Sequence, residues 1–165
     1  MQEFIESRVE MEDILKEEAF GYLGLCAEEG QPYVVPINYC YSDGRILIHC
    51  ALAGRKLDCI RANPSVCFTV ARQFGKVMPH AEGDPCHLDC DSVICCGTAR
   101  VVEDAEERLA LLKAFAGHFT QHRPNRKVRL EQARKCSAIE IDVKAMTGRR
   151  ERECKVTCWK HTFSS

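Results

Sequence analysis

The chain has 165 residues, enough to bury a core as one domain without disulfide staples, and its 45 % hydrophobic and 28 % charged residues are the balance of a soluble globular protein. A formal net charge of −1, with no long run of one sign, argues against nucleic acid or an anionic membrane as main partner, because both need a concentrated basic face. No apolar stretch approaches the roughly 20 residues that span a bilayer, and the acidic start Met1-Gln2-Glu3-Phe4-Ile5-Glu6 lacks the apolar core of a signal peptide, so the expected place is the cytoplasm.

The first predicted element is a short amphipathic helix over Met11 to Glu18, with Met11, Ile14 and Leu15 on one face. Phe20 to Ala27 then reads as an apolar strand ending in the turn Glu28-Glu29-Gly30. Pro32 to Tyr41 follows as a strand in which Tyr33, Val35, Ile37, Tyr39 and Tyr41 share one side of a period-two pattern. Proline cannot donate to a ladder, so Pro36 marks an edge, a bulge or a place facing a ligand. Ser42-Asp43-Gly44 is a hairpin signal, with Arg45 to Cys50 as the return strand. A loop at Ala51 to Gly54 leads to a helix over Arg55 to Ala62, with Leu57 and Ile60 inward, stopped by Asn63-Pro64.

Ser65 to Arg72 is another strand. Gln73 to Leu88 has no periodicity, holds Gly75, Pro79, Gly83 and Pro85, and reads as a long excursion. Asp91 to Glu103 is a long strand with a bulge expected at Gly97. Asp104 is placed as an N-cap with Glu107 as its capping-box partner, and Leu109, Leu112, Phe115 and Phe119 recur behind it at helical spacing, as a helix covering an open barrel end. Ala138 to Val143 is the last clear strand; from Met146 to Ser165 the pattern is charged and ambiguous. Hairpin-joined strands without βαβ alternation predict a mainly β fold, an antiparallel barrel with peripheral helices.

Twelve cysteines in a reducing compartment do not imply disulfides. Cys26, Cys40, Cys50, Cys67, Cys95 and Cys96 lie in apolar runs and are expected to be reduced, buried small hydrophobes. Cys86-His87-Leu88-Asp89-Cys90 holds ligand-type side chains, but Cys86-x-x-x-Cys90 is too loose for the paired spacing of a structural zinc site, so no metal is assigned.

The most informative stretch runs from Ile48 to Asp58. A strand ends at His49 or Cys50, small residues lead to Gly54, and a helix begins with Arg55 and Lys56. Backbone N–H groups at a helix start carry partial positive charge, and two cations there suit a phosphate dianion. Cations normally favour the other helix end, so their position is itself a signal.

Tyr33-Val34-Val35-Pro36-Ile37-Asn38-Tyr39, Asp43-Gly44, His49-x-Ala51-x-x-Gly54-x-Lys56 and Asn63-Pro64-x-Val66-Cys67-Phe68, in that order, resemble the pyridoxamine 5′-phosphate oxidase-like flavoproteins, nearest to the nitroimidazole-reductase (antibiotic resistance) branch. Pro85-Cys86, Ser92-Val93-Ile94, Gly97-x-Ala99 and Met146-Thr147-Gly148-Arg149 agree. The resemblance covers residues 10 to 150 of a single domain spanning 1–165, with 151–165 as a tail. It implies an FMN-binding split β-barrel that forms a homodimer with flavin sites at the interface. It also implies that Arg55 and Lys56 hold the FMN phosphate near Gly54, that His49, Cys50 and Ala51 line the phosphate or ribityl side, and that Val35, Pro36, Ile37 and Asn38 lie along the isoalloxazine. Ser92 would reach FMN from the neighbouring strand or subunit, and His49 would be the catalytic residue. The implied function is an FMN-dependent oxidoreductase taking electrons from a reduced donor to a small substrate, a nitroaromatic such as a nitroimidazole being one candidate. A non-enzymatic flavin- or haem-binding module and a deazaflavin-dependent reductase are the alternatives. Between Pro85 and Ser92 the chain departs from the family's longer aromatic and basic segment, on the side where substrate would bind.

Overall fold

The computed structural model describes residues 2–74, 89–119 and 128–151. Most of the expected excursion after β6 and most of the tail lie outside these residues. The described strands are β1 (Gln2–Ile5), β2 (Phe20–Cys26), β3 (Pro32–Asn38), β4 (Cys40–Ser42), β5 (Arg45–Cys50), β6 (Ser65–Phe74), β7 (Asp89–Val101) and β8 (Ser137–Glu151). The helices are α1 (Arg8–Glu17), α2 (Arg55–Ala62), α3 (Ala105–Phe119) and α4 (Leu130–Ala133).

All pairings are antiparallel, in the order β3-β2-β6-β7-β8-β5-β4, with β1 added to the far end of β8. The sheet curls until β3 and β5 approach each other without pairing, which gives the split barrel expected from the sequence. The core lies inside the curl. Leu23, Phe68, Val70, Val93, Ile46, Ile48, Ile139 and Ile141 fill it, and Tyr39 packs edge-on to Phe68 with ring centroids 4.6 Å apart. Tyr39 also donates its buried hydroxyl to the Leu15 carbonyl at 2.8 Å, tying α1 to the barrel through Met11, Ile14 and Leu15.

Several local expectations hold. Pro36 sits on an edge strand, since β3 ends the sheet. Asp43 and Gly44 both have positive φ, the hairpin geometry whose twist matches the flanking strands. The bulge expected at Gly97 falls on the strand opposite: Cys96 pairs with Ala145 and Gly97 with Val143, leaving Lys144 of β8 as the extra residue, and a Cβ on residue 97 would lie 2.3 Å from the Asp142 carbonyl oxygen. Asp104 Oδ1 accepts the backbone N–H groups of Glu106 and Glu107.

Others are corrected. α1 begins at Arg8, three residues before the apolar stripe, because the Ser7 hydroxyl caps it by accepting from Glu10 N–H. The strand predicted from Pro32 to Tyr41 breaks after Asn38. Tyr39, Cys40 and Tyr41 are all buried, so the alternation ends where the chain turns under α1. Glu107 is not a capping-box partner; its carboxylate pairs with Arg100. The last strand runs on to Glu151, because its charged residues find partners: Arg150 meets buried Asp91 of β7 at 3.1 Å and pairs with Glu10 of α1. β1 went unpredicted. Of the six cysteines expected inside, Cys40 and Cys95 are buried, Cys26 and Cys50 half-buried, and Cys67 and Cys96 exposed on the outer face of the sheet.

Candidate functional site

The split brings the two informative sequence stretches together. One lip is β3, where Tyr33, Val35 and Ile37 point inward against the core while Pro36 and Asn38 face out. Its outer edge has no strand partner among the described residues, so backbone groups there remain for a ligand. The other lip is the end of β5 with the loop 51–54 and the start of α2. The Arg55 guanidinium lies 4.5 Å from the centroid of the Tyr33 ring, a cation–π contact joining the lips.

Helix α2 opens without a side-chain cap. Its N-cap, Gly54, has φ +141°, a backbone conformation that side chains other than glycine's rarely adopt, and open space surrounds its Cα. Leu57 and Asp58 direct their N–H groups back to the Gly54 carbonyl, so the donors of the first turn ahead of them point along the axis. Neither Arg55 nor Lys56 forms an ion pair with a described residue. An uncapped helix start, an open glycine and two cations with no carboxylate partner among the described residues fit a phosphate dianion. Cys50 points inward beside Ser137. Burial pushes its thiol up, and the nearby Lys56 ammonium opposes that shift.

His49 faces the other way. Its imidazole meets Phe115 of α3 edge-on, with centroids 4.5 Å apart. Together with Leu112, Phe119, Gln132 and Cys136, these rings line an apolar cavity of about 230 Å³ under α3. Sequence reasoning placed Leu112, Phe115 and Phe119 on a structural helix face and did not connect them with His49. The i, i+3, i+7 spacing was the signal, but β5's facing was not legible. Arg108 holds the cavity's far wall: it donates to the carbonyls of Ala133 and Cys136 and to those of Val102 and Glu103.

Ser92 lies at the other end of β7 from the α2 lip. It pairs with Ala71 and Arg149, whereas Val101 near the β5 end pairs with Ile139. The two positions are nine steps apart along the strand, at most about 30 Å of extended chain. Ser92 lies on the outer sheet face, in line with exposed Ile94. No group of three or more His, Cys, Asp or Glu side chains comes together to hold a metal among the described residues, and none of the described helices is long and apolar enough to cross a membrane.

Comparison with known proteins agrees with this architecture. Residues 7–150 match the family profile described as pyridoxamine 5′-phosphate oxidase. A proposed 5-nitroimidazole antibiotic resistance protein from Bacteroides thetaiotaomicron superposes with TM-score 0.77 at 25 % identity, covering 91 % of this chain and 87 % of that one. An FAD- and haem-binding protein from Mycobacterium smegmatis superposes with TM-score 0.78 at 16 % identity, covering 95 % and 76 %. An FAD-binding protein from Mesorhizobium loti gives TM-score 0.67 at 24 % identity, covering 92 % and 99 %. The last two speak for the fold alone. The chain is also 39 % identical over 46 residues to an uncharacterized protein of Rhizobium meliloti strain 1021, a stretch that is 28 % of this chain and 30 % of that one. That match spans less than a third of the curated relative's length.

Proposed function

Because this chain belongs to the pyridoxamine 5′-phosphate oxidase family, we propose that it is an FMN-dependent oxidoreductase acting on a small oxidised substrate, with nitroaromatics such as nitroimidazoles as the first class to try. The observation that carries the reading is the uncapped start of α2, with Gly54, Arg55 and Lys56, placed beside the open edge of β3. FMN, when bound, supplies the electron transfer. Arg55 and Lys56 hold its phosphate by charge-assisted hydrogen bonds, and Tyr33 fixes the Arg55 guanidinium plane. Val35 to Asn38 supply an apolar wall and backbone groups; Pro36, lacking an N–H, offers only its carbonyl. Cys50 and Ala51 form the floor between phosphate and ring system. His49, with its ring oriented by Phe115, would hold or deliver a proton to a substrate that enters by way of the cavity under α3.

The working unit in this reading is a homodimer. Phe20, Tyr22, Val34 and Ile94 are 60, 51, 60 and 44 % exposed on one outer sheet face, and a contiguous apolar patch of this kind suits a second copy. Ser92 lies on that face, so it would serve the partner's flavin. Reducing power would come from a reduced small-molecule donor, and the site of action would be the cytoplasm.

The test is direct. The mass and visible spectrum of the cofactor released from purified protein separate FMN from FAD, deazaflavin and haem; FMN supports the proposal and any other replaces it. A sedimentation mass of one 18.7 kDa chain with flavin retained would overturn the dimer. Stopped-flow reoxidation of His49→Gln holoprotein by a nitro or quinone substrate is expected to slow about 10²-fold or more. A normal rate with weakened flavin binding would make His49 a packing residue.

A further inference from the structure

The outer sheet face carries a feature that the flavin reading leaves unused. Cys67 of β6 and Cys96 of β7 are direct cross-strand partners, both exposed. The ladder decides what kind of pair they form. Ala99 donates its N–H to the Pro64 carbonyl at 2.8 Å, so positions 64 and 99 are a hydrogen-bonded pair. Pairs alternate along an antiparallel ladder, which makes 66 with 97 and 68 with 95 hydrogen-bonded, and 67 with 96 non-hydrogen-bonded. Non-hydrogen-bonded partners have Cα atoms about 4.5 Å apart, inside the window of about 4.4–6.8 Å that a disulfide requires. The two thiols are close enough for each to perturb the other's ionisation. On β2 the residue opposite Cys67 is Gly24, so no side chain covers the pair from that flank.

We propose that Cys67 and Cys96 form a redox-active dithiol, a modification site that closes to a cross-strand disulfide when a small-molecule disulfide accepts its electrons. The Cys67 thiolate attacks one sulfur of the small disulfide and expels the other as a thiolate. The Cys96 thiolate then attacks the Cys67 sulfur of the mixed disulfide and expels the second. Two protein thiols are oxidised, one disulfide is reduced to two thiols, and the two protons pass to the leaving thiolates. The inference rests on sheet register and stands whether or not flavin binds.

Burial, with Cys96 beside it, pushes the Cys67 thiol up. The thiolate fraction at neutral pH is therefore small, and the quantity to read is the equilibrium, not the rate. The protein is equilibrated in glutathione redox buffers by two routes, from the native state and by refolding from urea, so that a covered face cannot hide the pair. Alkylation, digestion and mass spectrometry then locate every oxidised thiol. The expected result is a Cys67–Cys96 linked peptide, lighter by two hydrogens, persisting at more reducing glutathione ratios than any other pair, and absent from Cys67→Ser and Cys96→Ser. Stable glutathione adducts on Cys67 or Cys96 without ring closure overturn the proposal, as does bonding of either residue to a different cysteine. Both residues staying reduced by both routes, while other thiols oxidise, overturns it too.

Discussion

Arg108→Ala is the substitution with the most readable consequence. The Arg108 guanidinium donates to four carbonyls: Nε to Val102 at 3.2 Å, Nη1 to Ala133 at 3.0 Å and to Cys136 at 2.9 Å, and Nη2 to Glu103 at 2.8 Å. Two of these acceptors follow β7 and two lead from α4 into β8, so one side chain anchors α3 to both. Helix α3 has no fully buried side chain of its own, which makes this anchor matter more. A hydrogen bond to a charged group contributes about 1.5–3 kcal/mol. Four bonds on one guanidinium do not add, and the exposed acceptors regain water once the donor is gone. The expected loss of stability is therefore about 2–4 kcal/mol. With a urea slope of about 2 kcal/mol/M, the unfolding midpoint followed by far-UV circular dichroism falls by about 1–2 M. Arg108→Lys keeps the charge but not the planar fork, and recovers less than half of the loss. A midpoint shift under about 0.3 M for the alanine variant, or full recovery by lysine, would refute the anchoring argument.

Three further outcomes are expected. Lys56→Ala weakens FMN binding by roughly 1.5–3 kcal/mol, read as quenching of flavin fluorescence in a titration; an Arg55→Ala/Lys56→Ala protein with unchanged affinity would rule out that phosphate position. Gly21→Ala puts a Cβ 2.1 Å from Phe68 Cζ and costs about 2–3 kcal/mol by overpacking; adding Phe68→Leu returns part of it, and strictly additive losses in the double-mutant cycle would contradict the contact. Burial pushes the Cys40 thiol up to about 11 and the Cys95 thiol up to about 12. The fold thus favours the neutral thiols, a contribution that is complete below the ordinary thiol value of 9.0 and is lost as pH rises through the folded values. Urea unfolding of wild type should therefore weaken more steeply above pH 9 than that of Cys95→Ala, and parallel curves would count against this linkage.

What the sequence made legible was local. Two positive-φ residues at Asp43-Gly44 and a short polar cap at Asp104 each report on a few neighbouring atoms and stand where they were expected, while Gly97 marks a bulge whose extra residue lies on β8. What stayed hidden depends on partners distant in sequence. β1 holds four residues without a clear alternation, and it forms because residues 148–151 offer it an edge. The charged end of β8 reads as a tail until Asp91 and Glu10 are seen to receive Arg150. An apolar run such as Val66-Cys67-Phe68 does not say which alternate side chains point out, so Cys67 and Cys96 could be mistaken for core. The candidate site was half visible. The cations after Gly54 and the Pro36 strand were found in the sequence, but the chain had to fold to show Arg55 on Tyr33 and His49 on Phe115.

The position of β8 has a consequence for how the protein is made. Strand order puts it between β7 and β5, with β1 as a third neighbour, yet among the described strands it is the last to be synthesised. Strands β2, β3, β6 and β7 can pair as they emerge, whereas the β4–β5 hairpin has no sheet to join until residues 137–151 appear. The ribosome needs roughly 3–10 s to make the chain between the ends of β7 and β8, at about 5–20 residues/s. During that interval the long edge of β7 is unpaired, a template for strands of other nascent chains. A chain cut short before Ser137 therefore leaves an adhesive half-sheet, and the completed sheet arises late, in a single step that brings in β1, β5 and β8 together.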